Sequence, residues 1–157
     1  LSIIFSLIII GIIASIFFKR ILWGILAVVP LSSAVIINFG FMGYFGIELS
    51  HITALLSSVI IGVGVDFAIH YISQYRRLSK STDIKKLSRS VVDDVGYPII
   101  LDAASNMGFG ALLFSAFVPI KYIGGLMVFA MISTSLGTLT VLAASTELLK
   151  NRLVNKD

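Results

Sequence analysis

The sequence predicts an all-α protein, a polytopic transmembrane helix bundle of five spans. Three observations predict it. Of 157 residues 57% are hydrophobic and only 13% charged, at a mean hydropathy of +1.02. The apolar residues gather into five runs, each near the roughly 20 residues that a helix needs to cross the hydrocarbon core. The basic residues stand at the ends of those runs. A water-soluble domain of this length has no use for so much apolar material, so its solvent is lipid.

The runs fall at about 1–18, 21–38, 53–73, 97–118 and 122–149. Each must be helical, because lipid cannot satisfy exposed backbone groups. Only Lys19 and Arg20 separate the first two, which predicts a tight helical hairpin with its turn on one side of the membrane. The turn 39–52 then lies on the other side. Its aromatics Phe39, Phe41, Tyr44 and Phe45 read as interfacial anchors, and Glu48 and His51 lack the companions a zinc site requires. Between the third and fourth runs, 76–96 is polar. Ser81, Thr82 and Asp83 offer N-caps, and Ile84, Leu87, Val91, Val92 and Val95 form one apolar stripe with Lys85, Lys86 and Arg89 mostly opposite. That pattern predicts a short cytoplasmic amphipathic helix lying on the membrane surface, with a solvated loop as the plainer alternative.

Eleven of the 12 Lys and Arg residues share one side: Lys19, Arg20, Arg76, Arg77, Lys80, Lys85, Lys86, Arg89, Lys150, Arg152 and Lys156; only Lys121 is opposite. The positive-inside rule makes that side cytoplasmic, with the C-terminus on it. Five spans that start outside call for an earlier span or a translocated domain, so the chain, which opens on Leu1, reads as a fragment of a larger protein. The net charge of +4 reflects this topology and not a nucleic-acid partner, for which basic residues would gather on one polar face. The sequence has no cysteine, which excludes disulfides and thiolate metal sites. No cofactor or metal is expected.

Polar residues inside the runs carry the functional expectation. Asp66 follows some thirteen apolar or small residues, and a charge near a helix centre costs about 2.5–3.5 kcal/mol to insert. His70 is one turn further on, on the same helix face and nearer the cytoplasm. An acid with a disfavoured charged form can hold a proton near neutrality, and an imidazole below it can pass the proton on. The plainer readings are an interhelical hydrogen bond for Asp66 and an interfacial ring for His70. Gly62 and Gly64 remove bulk from the same helix and predict close packing that turns the acid into the bundle. In the fourth run Asp102 and Asn106 are again a turn apart. Asp102 is expected about a turn from the cytoplasmic boundary, where snorkelling competes with an intramembrane role, and Asn106 is a candidate partner for Asp66. The proton relay candidates are therefore Asp66, His70, Asn106 and Asp102.

The run from Gly62 through Asp66, Phe67 and His70 to Arg77 resembles the fourth or tenth transmembrane helix of the resistance-nodulation-division (RND) superfamily, in its MMPL-type, hydrophobe-exporter branch. Gly108, Gly110, Ser115, Pro119, Gly124 and Gly125 resemble its following two helices. The resemblance implies two six-helix repeats with large extracytoplasmic domains, of which these five spans are the last five of one repeat, the second by its basic tail. It further implies that Asp66 is the proton-relay acid, with Gly62, Gly64 and Phe67 packing near it. The protein would then use proton-motive force to export lipids or other hydrophobic molecules from the plasma (inner) membrane, as a homo-oligomer or otherwise, and would not be an enzyme. Two positions depart from the pattern: Phe67 stands where many MMPL proteins have tyrosine, and Thr146-Glu147 stand where the family has a proline.

Other readings compete. A SecD/SecF-type protein-translocation accessory shares the superfamily fold, but favours small or polar residues after the acid. A sterol-sensing-like module would bind lipid without pumping. An intramembrane aspartyl protease would need a Gly-x-Gly-Asp motif, in which Val65 here displaces the carboxylate by about 100° around the helix.

Overall fold

The computed structural model describes residues 2–48, 50–81, 83 and 86–154. It is a bundle of α-helices with no strand among the described residues. Helices α1 (Ser2–Phe17) and α2 (Ile21–Tyr44) form the expected hairpin; α3 (His51–Leu78) follows, then α4 (Leu87–Asn106), a 3₁₀ segment Met107–Phe114, α5 (Val118–Gly137), a single π turn Thr138–Leu142 and α6 (Ala143–Val154). Four helical stretches are long and apolar enough to cross a membrane: Ile21–Tyr44, Leu56–Leu78, Leu87–Phe114 and Val118–Lys150. Helix α1 is a shorter apolar helix among the described residues.

Each helix end has a local cause. The α1–α2 turn is a Schellman cap: Arg20 N–H donates to Ser15 O at 3.0 Å and Lys19 N–H to Ile16 O at 3.1 Å, with Lys19 in the left-handed region at φ 56. Ser50 caps α3 reciprocally, since its Oγ accepts from Thr53 N–H and Thr53 Oγ1 accepts from Ser50 N–H. Helix α4 gives way to 3₁₀ geometry where Gly108 and Gly110 dilute helix propensity.

Helix α3 lies at the centre, in contact with α1, α2, α4 and α5. Its buried face, Ile60, Phe67, Tyr71 and Tyr75, meets Trp23 and Leu26 of α2, Val91 and Ile99 of α4, and Met127 and Met131 of α5 in one core. Trp23 and Tyr75 meet edge to face at 5.6 Å. Bulky aliphatics such as Ile4, Ile12, Ile36 and Leu136 remain exposed, as a surface solvated by acyl chains requires. Two buried polar contacts cross between helices: Tyr71 Oη with Thr146 Oγ1 at 3.1 Å, and Asn38 Nδ2 to Leu126 O at 3.4 Å.

One end of the bundle is basic. Arg20 Nη1 donates to Leu153 O at 3.2 Å, and the Arg76 guanidinium stands 5.7 Å from the Phe18 ring centroid, so the first turn, the end of α3 and the tail converge there. At the other end Ile47 and Thr53 share a cleft with Pro119 and Tyr122.

Two sequence expectations change here. The stripe of 76–96 is real, but Leu87, Val91 and Val95 are buried within the bundle as the first turns of α4, so they do not form a separate helix on the membrane surface. The stripe finds a protein partner because the link between α3 and α4 is short. Thr82, Ile84 and Lys85 of that stretch, and the side chain of His51, lie outside the described residues. Of Gly62 and Gly64 only Gly64 packs closely: an added Cβ would stand 2.6 Å from Leu31 Cδ2, whereas one at Gly62 meets nothing.

Gly24 sets the α1–α2 approach, since a Cβ there would stand 1.9 Å from Ser15 Oγ and 2.4 Å from the Gly11 carbonyl oxygen. Gly24→Val should therefore destabilise the bundle by about 1–3 kcal/mol, the usual cost of overpacking. Tyr71→Phe, which loses one hydrogen bond inside a membrane bundle, should cost about 0.6 kcal/mol. Equilibrium unfolding in mixed micelles checks the order; a Tyr71→Phe cost above that of Gly24→Val would contradict this account of the packing.

Candidate functional site

The polar residues of α3 follow one face. Gly62, Asp66, His70, Ser73 and Arg77 recur at three- and four-residue spacing, and all five are exposed. Asp66 lies one residue from the middle of Leu56–Leu78, so it is at mid-span by position. Neither Asp66 nor His70 has a hydrogen-bond partner among the described residues. The expectation that close packing turns Asp66 into these helices is overturned. Gly64, two residues earlier and about 200° around the helix, is the residue that packs, so the acid points away from the core. Phe67, fully buried, is the neighbour that belongs to the core.

Helix α4 runs antiparallel to α3 and brings a second set. Asp102 is exposed, and Asn106 Nδ2 donates to its Oδ1 at 3.3 Å and to its backbone oxygen at 3.0 Å. Asn106 thus serves its own helix; among the described residues it makes no hydrogen bond to Asp66. Helix α4 begins at Leu87, ten residues before the fourth apolar run, so Asp102 stands fifteen residues, or about 22 Å, along it.

Between α3 and α4 lies a cleft of about 290 Å³ that His70 and Asp102 both line. Its mouth, at the basic end, holds residues that the sequence analysis did not assign to the site. Gln74 Nε2 donates to Asp94 Oδ2, and Arg77 Nη2 approaches the same oxygen at 3.4 Å. The cleft wall toward the core is apolar: Phe67, Val95 and Ile99. Hairpin register was the available signal, because an antiparallel pairing centred on residue 84 brings Gln74 opposite Asp94.

Chemically, the site presents two carboxylates and an imidazole at membrane depth, with an ion pair beyond them at the mouth. Such groups can carry or relay protons. On the far side of the molecule, the α1–α2 hairpin bears an apolar groove of about 1000 Å³, lined among others by Ile8, Ile12, Ile25 and Val28.

Residues 16–146, from the end of α1 into α6, match the family model described as the sterol-sensing domain of SREBP cleavage-activation. A protein of Methanocaldococcus jannaschii, named only as a membrane protein, is 34% identical over 104 residues, which are 65% of this chain and 27% of that protein. The chain therefore matches about a quarter of that relative's length. No solved structure matches the chain. The matched residues take in the α1–α2 turn, the polar face of α3, the cleft and the Tyr71–Thr146 bond, and the chain belongs to the sterol-sensing domain family.

Proposed function

We propose that the chain is the membrane part of a proton-motive-force-driven exporter of lipids or other hydrophobic molecules, of the RND type and its MMPL branch. The observation that carries this reading is Asp66 with His70 one turn below it, at mid-span on an exposed face without hydrogen-bond partners. An acid there is costly unless it is used. A proton bound at Asp66 would neutralise it, and loss of that proton would create a charge that favours a different helix packing, which couples proton flow to movement. Asp102, with Asn106 holding its carboxylate, would be the second acid on the path.

On this reading the exposed α3 face packs against helices that this chain does not supply, those of an N-terminal repeat or of a second copy. Substrate would be shaped by extracytoplasmic domains elsewhere in the protein. The partners are membrane lipid, protons and a hydrophobic or lipidic substrate, with no cofactor and no covalent catalysis. The basic end would face the cytoplasm and the protein would reside in the plasma (inner) membrane, by the positive-inside rule.

A second reading has its own support. Membership of the sterol-sensing domain family, together with the apolar α1–α2 groove, suits a module that binds membrane lipid without pumping it. Proton dependence separates the two. In vesicles containing the full-length protein, export of a fluorescent lipid should follow the imposed proton gradient and fall at least tenfold in Asp66→Asn at equal expression. Gradient-driven export undiminished in Asp66→Asn would remove the proton role of Asp66, and lipid binding without export by either protein would favour the sensing module.

A further inference from the structure

We propose that the α3–α4 cleft is an aqueous inlet from the basic end of the bundle, and that Arg77, Asp94 and Gln74 form its gate. Depth is the first argument. From Arg77 to His70 on α3 is seven residues, and from Asp94 to Asp102 on α4 is eight, which place the inner pair about 10–12 Å beyond the mouth on both walls.

The lining decides what fills the cleft. A volume of about 290 Å³ corresponds to roughly ten water molecules at about 30 Å³ each. A buried water needs two to four polar partners, and His70, Ser73, Gln74, Asp94 and Asp102 supply them along the cleft's length. An acyl chain in the same space would leave both carboxylates and the imidazole unsolvated. Pro98, which also lines the cleft, has no N–H to give to the carbonyl of Asp94 four residues earlier, so the backbone itself presents an acceptor that calls for water. The buried Phe67 and Ile99 end the wet region toward the core.

The mouth is spanned by contacts that can break. Asp94 accepts from both Gln74 and Arg77, and these bonds cross from α3 to α4 over the entrance. Their side chains are 72% exposed for Arg77 and 50% for Asp94, and an ion pair so exposed holds weakly. Breaking this inter-helix latch would widen the entrance at the basic end. The inlet would supply the proton path proposed above, on which its purpose rests, but its hydration is measured independently of any transport.

These 157 residues contain no cysteine, so single-cysteine labelling is done in the full-length protein with any cysteine elsewhere replaced by serine. His70→Cys, Asp102→Cys and the near-isosteric Ser73→Cys are compared in proteoliposomes with Ile100→Cys, an exposed apolar position of α4 outside the cleft. The probe is a membrane-impermeant cationic methanethiosulfonate, added from each side in turn. The inlet predicts that the three cleft positions react from the basic-end side at least tenfold faster than Ile100→Cys, and that adding Arg77→Gln raises the rates at His70→Cys and Asp102→Cys several-fold while leaving Ser73→Cys reactive. Rates at all three equal to that of Ile100→Cys, or reaction only from the opposite side, would overturn the inlet. Rates unchanged by Arg77→Gln would overturn the gate. Loss of export in Asp66→Asn with unreactive cleft cysteines would leave the proton role standing and the inlet refuted.

Discussion

A bilayer core offers no hydrogen bonds, and that single lack organises this molecule. The backbone answers with helices alone. The side chains answer by sorting: Ile, Leu and Val face lipid, while Tyr71 pairs with Thr146, Asn38 reaches the Leu126 carbonyl, and Thr134 bonds its own helix. Where a small residue lets two backbones approach, as at Gly24 against Gly11, packing replaces the hydrophobic driving force that helices do not have in lipid. The α3–α4 face is the place where this sorting is violated, with Asp66, His70 and Asp102 exposed at membrane depth. Buried polar atoms without a partner among the described residues also occur in the core, at Trp23 Nε1, Tyr75 Oη and Ser88 Oγ, so what sets this face apart is ionisable groups left exposed within apolar helices.

Much of the fold was legible because hydropathy and charge are strong one-dimensional signals. The α1–α2 turn at Lys19-Arg20 could be read directly, and the structure adds only that Lys19 takes the left-handed conformation where glycine is usual. The fifth run was legible as a helix, although its π turn at Thr138–Leu142 has no sequence mark beyond a cluster of hydroxyl residues. The start of α4 was not legible. Arg89, Asp93 and Asp94 lower the hydropathy of its first turns, so a window tuned to lipid begins the helix near Tyr97.

The site was half legible for a related reason. Asp66, His70, Asp102 and Asn106 are conspicuous as polar residues in apolar runs, and the sequence is enough to single them out. Which way they face depends on which glycine packs, and Gly62 and Gly64 are equivalent on paper; only the neighbours Leu31 and Thr134 distinguish them. Gln74 and Asp94 lie among other polar residues near a turn and carry no mark of their own. They gain meaning from being opposite each other across two helices, a relation set by register and not by composition.

The central claim is that Asp66 binds and releases a proton at mid-span. Infrared difference spectroscopy on the reconstituted protein, with the pH stepped across the membrane, reads this directly through the carboxylic acid C=O stretch. The account predicts a band that appears and vanishes with pH, shifts in deuterated water and is missing from Asp66→Asn. A spectrum in which wild type and Asp66→Asn give the same carboxyl bands would contradict it.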